Sequence, residues 1–145
     1  MSIYYATRLK RIAALLPQAT TASIFTITGG PVQVESFFGL VITATPGTAN
    51  TLQVKNTPAA GTVLSLSTAV SVATLEAGSH ASLTDAAGGA LIVGNAGTCP
   101  RPLHPGFIVN PGALQLITTG SAVTGTWSWY LMYTPLEPGA LAVAA

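Results

Sequence analysis

Residues 126–133 read Thr-Trp-Ser-Trp-Tyr-Leu-Met-Tyr, and this stretch decides the class of fold. Its residues alternate between the two sides of an extended chain, and one side carries Trp127, Trp129, Leu131 and Tyr133. Alternation with a period of two, built from aromatic residues, is typical of a half-buried β-strand. We predict that Trp127, Trp129 and Tyr133 lie in the core of a sheet. The alternative interpretation is an exposed platform on which a sugar or a base stacks.

The same period of two recurs from residue 22 onward, in short segments separated by glycine and proline turns. The clearest segments cover residues 22–28, 32–43, 51–55, 63–72, 107–109 and 114–116. Many short strands with almost no helical pattern are typical of an antiparallel sandwich or a small barrel. The sequence therefore predicts an all-β, single-domain antiparallel sandwich that is jelly-roll-like. The lack of a fixed-period repeat argues against propellers and solenoids.

At two places glycine residues predict a specific backbone feature. Gly29-Gly30 can take the positive φ values of a tight hairpin between the first two segments. The next segment is long for a strand, and Gly39 is the natural place for a bulge or kink. We expect one face of this segment to carry Val32, Val34, Phe38, Leu40 and Ile42, and the other to carry Gln33, Glu35, Phe37, Val41 and Thr43.

The N-terminal residues have a different pattern. Apolar residues at helical spacing predict a short helix or an ordered arm over residues 2–16, and Pro17 would end it. We therefore divide the chain into an N-terminal arm, 1–17, and a β-sandwich domain, 18–145. The arm carries three of the five basic residues, Arg8, Lys10 and Arg11. They form either a solvated surface or a docking element for an acidic partner.

The composition is unusual for a free monomer. Charged residues make up 6% of the chain, against about a quarter in ordinary globular proteins, while hydrophobic residues make up 49%. A surface covered by small uncharged residues is poorly protected against self-association, so we expect much of it to be buried in an assembly. The net charge of +1 provides no field for nucleic acid or an anionic membrane. Neither a secretory signal nor a membrane span is expected.

Residues able to support catalysis are few. The acids are Glu35, Glu76, Asp85 and Glu137, and the only thiol is Cys99. A Cys99–His104 pair is one catalytic hypothesis, and His80 with Asp85 near Ser79 and Ser82 is another. Neither lies in a recognisable nucleophile motif, and no metal-ligand or phosphate-loop spacing is present. We therefore expect no enzyme activity, no cofactor and no metal.

Three stretches carry a resemblance to a known class of proteins. They are Gln18-Ala-Thr-Thr21 with Ile24-Phe-Thr-Ile-Thr-Gly-Gly-Pro-Val32, then Phe38-Gly-Leu-Val-Ile-Thr43, and finally Trp127-Ser-Trp-Tyr-Leu-Met-Tyr-Thr-Pro-Leu-Glu-Pro-Gly-Ala140. Together they resemble small structural proteins of tailed bacteriophages, including capsid decoration (cement) proteins. The likeness covers most of the chain from residue 18 onward and is one of pattern and order; residues 58–98 lie outside it.

The resemblance implies a virion structural protein, made in the host cytoplasm and bound to the exterior of the capsid. There it would bridge major capsid protein subunits and stabilise the head against internal DNA pressure. It further implies a homo-oligomer, with a trimer favoured over a dimer. On this interpretation Arg8, Lys10 and Arg11 are the candidate contacts with the capsid or with a neighbouring subunit.

Two alternative functions stay open at this point. One is a structural subunit of the phage tail or of the head–tail connection. The other is a carbohydrate-binding β-sandwich module that uses Trp127, Trp129 or Tyr130. The second alternative requires exposed aromatic side chains, so the structure bears on it directly.

Overall fold

A computed structural model describes residues 6–83, 88–94, 96, 106–121 and 124–145. Over these residues the chain is all β-strand, without a helix. Accordingly, none of the described segments is a helix long and apolar enough to cross a bilayer. The strands are β1 Thr7–Leu15, β2 Thr21–Thr28, β3 Val32–Thr43, β4 Thr51–Pro58, β5 Leu64–Ser65, β6 Val70–Ser71, β7 His80–Ser82, β8 Ile92–Gly94, β9 Phe107–Val109, β10 Gly112–Thr118, β11 Thr126–Pro135 and β12 Leu141–Ala144.

The strands form two antiparallel sheets that pack face to face. Sheet A has the order β1-β11-β3-β7-β8, with β9 also paired to β3. Sheet B has the order β12-β2-β10-β4-β5, with β6 also paired to β4. The predicted all-β sandwich is therefore confirmed.

The path of the chain is that of a jelly roll. From β1 to β4 each strand lies in the sheet opposite its predecessor, and the same alternation returns from β9 to β12. The order β1-β11-β3-β7 faces the order β2-β10-β4-β5, which is the arrangement of eight jelly-roll strands in two sheets. Strands β8 and β9 are inserted between β7 and β10, and β12 extends sheet B beside β2.

The core between the sheets is centred on the inner face of β11. Trp127, Trp129 and Tyr133 are between 0 and 2% exposed. The Trp129 ring stacks on Trp127 at 5.7 Å and on Phe37 at 5.4 Å between centroids, and Phe37 meets Phe25 of sheet B edge to face. The aromatic stripe of residues 126–133 thus joins the two sheets and does not form a surface platform.

The predicted helix near the N-terminus is wrong over the described part of that segment. Residues 7–15 form β1, which pairs antiparallel with β11 at the edge of sheet A. A helix of this length is marginal in water. As a strand, the segment gains a ladder of backbone hydrogen bonds with β11 and packs Leu9 against the core. The expected arm is therefore the first strand of the jelly roll.

The predicted hairpin at Gly29-Gly30 is also wrong, although both residues have positive φ, at 76° and 150°. The turn carries the chain from β2 in sheet B to β3 in sheet A. A Cβ at Gly29 would collide with the carbonyl oxygen of Gly139, in the turn before β12. Glycine is needed here because two sheet-to-sheet connections touch at one end of the sandwich.

The five residues expected on one face of β3 do not share it: Val32 and Val34 face the core, whereas Phe38, Leu40 and Ile42 face outward. The register with β11 shifts at Glu35, because Tyr133 pairs with Val34 while Met132 pairs with Ser36. This extra residue exchanges the two faces, so Phe37 and Val41 are buried, whereas Phe38 and Ile42 are exposed.

Gly39 is not the predicted bulge, since it pairs in register with Trp129. A Cβ built at Gly39 would lie 2.8 Å from two carbons of the indole ring. The absence of a side chain therefore makes room for Trp129, one of the two buried tryptophans of the neighbouring strand β11.

Candidate interaction surface

The outer face of sheet A, the face turned away from sheet B, carries an apolar surface. The strand registers align one row of residues across five strands, Lys10, Tyr130, Phe38, Ser82 and Ile92, of which Ser82 is buried. A parallel row contains Arg8, Met132 and Ser36. The sheet therefore presents two cations at its β1 edge and aromatic and aliphatic side chains toward its middle.

Several large apolar side chains on this face are accessible. Ile12 of β1 is 81% exposed and Ile108 of β9 is 66% exposed. Phe38, Ile42 and Ile92 are each exposed by more than a third. Single exposed apolar residues are ordinary, whereas a group of them on one sheet face is a candidate interaction surface. We refer to the outward side chains of Ile12, Phe38, Leu40, Ile42, Ile92, Ile108, Tyr130 and Met132 as the apolar face.

A shallow groove of about 470 Å³ lies at the β1 side of the apolar face. The Phe38 and Tyr130 rings stack inside it with centroids 5.0 Å apart and planes 17° apart. Lys10 Nζ lies 5.7 Å from the centroid of the Tyr130 ring, within the range of a cation–π contact. The groove is lined by Arg8, Leu9, Lys10, Ser36, Phe38, Tyr130, Leu131 and Met132.

The three basic residues of the N-terminal segment do not act as one cluster. Arg8 and Lys10 project from the outer face of sheet A and line the groove. Arg11 is opposite Trp129 in the register and is half-buried. Its Nε donates to the carbonyl oxygen of Ala145 at 3.1 Å, which links β1 to the chain beyond β12. The cationic part of the candidate surface therefore consists of Arg8 and Lys10.

The middle of the outer face of sheet B is polar, while its β12 edge carries the exposed side chains of Leu141 and Val143. Thr57 Oγ1 donates to Gln115 Oε1 at 2.7 Å, and Gln115 Nε2 donates to Ser23 Oγ at 3.2 Å. These contacts run from β4 across β10 to β2. Gln53 Nε2 also donates to the Ser67 carbonyl at 2.9 Å. Much of the hydrogen-bonding capacity of this face is thus satisfied within the chain.

The described residues give no distance or contact that supports either catalytic hypothesis. Cys99, His104 and Asp85 lie outside them, so their pairings are not visible. Ser79 is buried, and its hydroxyl has no hydrogen-bond partner in the described part of the chain. His80 lies on the outer face of sheet A against Gly94, where a side chain would collide with its imidazole. Within the described ranges no three His, Cys, Asp or Glu side chains gather as a metal site.

Comparison with known proteins gives no assignment. No family model matches the sequence, and no curated protein or solved structure matches it. The functional argument therefore depends on the chain's own surface. Sequence reasoning identified Arg8 and Lys10 by their charge and considered Tyr130 for a sugar platform. It missed Phe38 and Ile42, because the bulge at Glu35 that turns them outward has no sequence signature.

Proposed function

We propose that this chain is a non-enzymatic structural subunit that works by assembling with other chains. The observation that carries the proposal is the apolar face, which lies on a chain with only 6% charged residues. Complete burial of one Ile or Phe side chain contributes about 1.5–3 kcal/mol. Ile12 is 81% exposed and can contribute most of this value, whereas Phe38 and Ile42, at 37% and 44%, can contribute less than half of it each.

We further propose that the assembly is the head of a tailed bacteriophage and that the chain is a capsid decoration subunit. Two lines support this choice of partner. The resemblance of residues 18–43 and 127–140 to small phage structural proteins suggests the class, and the jelly roll is a fold that capsid proteins use. The partner would be the major capsid protein on the outer surface of the head. A position in the tail or at the head–tail connection is the alternative location.

A homo-oligomer, with a trimer favoured over a dimer, suits this role. Each contact between one subunit and the lattice can be weak, because an oligomer engages several capsid subunits at once. The effective concentration after the first contact then raises the overall affinity without any new interface. This reasoning predicts that decoration is lost when the oligomer is dissociated, even if each apolar face is intact.

The experiment that tests the proposal uses the purified full chain and undecorated heads of the phage that encodes it. Mass photometry gives the oligomeric state, and sedimentation with heads gives the binding ratio. We expect a discrete oligomer that saturates heads at a fixed ratio and raises the temperature at which they release DNA. A monomer that leaves this temperature unchanged would contradict the decoration role. Saturable binding to purified tails instead would favour the tail alternative.

A further inference from the structure

The groove over Phe38 and Tyr130 has a composition that selects one kind of ligand. Its floor is apolar and aromatic, and its β1 side carries two cations, Arg8 and Lys10. In the part of the chain that the structure describes, neither cation forms an ion pair; the contact of Lys10 is with the Tyr130 ring. Glu35 is the acidic residue next to the groove residue Ser36 in the chain. Its carboxylate accepts a hydrogen bond from Thr134 Oγ1 at 2.9 Å. The groove therefore provides positive charge that a ligand can neutralise.

The spacing of the two cations suits an extended polypeptide. Arg8 and Lys10 are two residues apart on β1, so their side chains leave the same face about 7 Å from each other. Carboxylates at alternate positions of a second extended chain have the same spacing. The residue between those carboxylates points to the opposite side of its own strand, so in a segment that lies edge-on above β11 it would point away from β1, toward Phe38 on β3. An acidic–apolar–acidic segment thus matches both parts of the groove.

The lining favours a peptide over a carbohydrate. Besides the two cations, the lining side chains that can hydrogen-bond are only Ser36 and Tyr130. A sugar presents many hydroxyl groups, and each one buried without a partner costs free energy. The surface beside the groove continues with Leu40 and Ile42, which match aliphatic side chains.

We propose that this groove binds an extended segment of a partner chain in which two carboxylate residues flank an apolar one. The proposal deepens the proposed function, because it names the chemistry of the contact, and it rests on that function for the identity of the partner. Arg8 and Lys10 would pair with the carboxylates, while Phe38, Tyr130 and Met132 would hold the apolar side chain. The pairs lie at the surface and would be sensitive to salt.

The test uses a fluorescent peptide with the sequence Gly-Ser-Glu-Leu-Glu-Ser-Gly, titrated with the full chain at low salt and followed by anisotropy. The control is the same peptide with both Glu residues replaced by Gln. This Gln-Leu-Gln peptide is expected to bind more weakly, by about two- to fivefold for each charge removed. Lys10→Gln should weaken the Glu-Leu-Glu peptide by a similar factor, and Arg8→Gln with Lys10→Gln by about tenfold. Lys55→Gln is the matched control, because it removes the same charge from the outer face of sheet B.

Three results would overturn the proposal: equal binding of the Glu and Gln peptides, an equal effect of Lys10→Gln and Lys55→Gln, or tighter binding of a sulfated oligosaccharide in competition. Self-association that depends on Lys10, with no peptide binding, would assign the groove to a second copy of this chain and also overturn it. Because the peptide assay contains no heads, its failure leaves head binding to be judged separately. Failure of head binding likewise leaves the peptide result intact.

Discussion

The outer faces of the two sheets differ although both belong to the same jelly roll. On sheet B the outward side chains of neighbouring strands bind one another, as in the Thr57–Gln115–Ser23 series. On sheet A the middle strands carry Phe38, Tyr130 and other apolar residues, and the hydrogen bond from Thr134 to Glu35 lies toward the end of the same strands. The alternation that specifies the core is equally good in both sheets. The two sheets therefore differ at the outward positions, which the fold leaves free, and agree at the inward positions that form the core.

The largest predicted effect is a loss of stability from a substitution on the inner face of sheet A. Trp129→Ala removes a side chain that is 1% exposed and stacks on both Phe37 and Trp127. We expect it to lower the free energy of unfolding by about 3–5 kcal/mol, because the cavity cannot be filled by its neighbours. Urea denaturation followed by tryptophan fluorescence and by circular dichroism measures this loss.

The control for that substitution is the next residue, Tyr130, whose side chain lies on the apolar face. Tyr130→Ala should cost less than about 1.5 kcal/mol, since it removes one surface stacking partner and no core volume. A loss equal to that of Trp129→Ala would mean that the outer face of sheet A is structurally as important as the core. The comparison between the two sheet faces would then fail.

A second prediction concerns the contact that gives Trp129 its room. Gly39→Ala places a methyl group 2.8 Å from the indole ring, so the ring or the strand must shift. We expect the free energy of unfolding to fall by about 1–3 kcal/mol, as for other overpacked cores. Gly47→Ala is the control, because its Cβ would meet Thr74 at an ordinary 3.6 Å. Equal thermal midpoints for the two variants would contradict the packing argument.

The third prediction tests the faces as assembly surfaces with a matched pair. Ile42 on sheet A is 44% exposed and Val143 on sheet B is 42% exposed. Ile42→Asp should weaken binding to undecorated heads by about tenfold, equivalent to 1.4 kcal/mol, since it places a charge in the apolar contact. Val143→Asp should leave the binding within about twofold. If Val143→Asp has the larger effect, the docking surface lies on sheet B.

Much of the fold was predictable because strand alternation and core burial express the same pattern. The inner face of β11 and the jelly-roll class followed from residues 126–133 and from the short segments before them. Two of the wrong predictions, the N-terminal helix and the hairpin, had local patterns with two solutions. Leu9, Ile12 and Ala13 fit helical spacing, yet pairing with β11 makes them part of a strand. Gly29-Gly30 is compatible with a hairpin or with a crossing between sheets, and only tertiary packing decides between them.

The candidate surface was less predictable than the fold. Arg8 and Lys10 could be identified from charge, but adjacent Phe37 and Phe38 cannot be assigned to faces without knowing the register. The extra residue at Glu35 decides that register, and it depends on where Val34 and Ser36 pair with β11. A one-residue change of this kind reverses every later side chain of the strand. Interaction residues on a sheet face are therefore lost from sequence reasoning wherever a bulge is not recognised.

The smallest predicted effect is the loss of stability from a substitution of Gln115, on the outer face of sheet B. Gln115→Ala removes the acceptor of Thr57 and the donor to Ser23, both partly buried, and creates no core cavity. We expect a loss of about 1 kcal/mol in the free energy of unfolding, because each such hydrogen bond contributes little net stability. Head binding should not change, since this face is satisfied by its own contacts. A normal stability combined with lost head binding would reverse the roles of the two faces, because Gln115 would then serve a partner and not the fold.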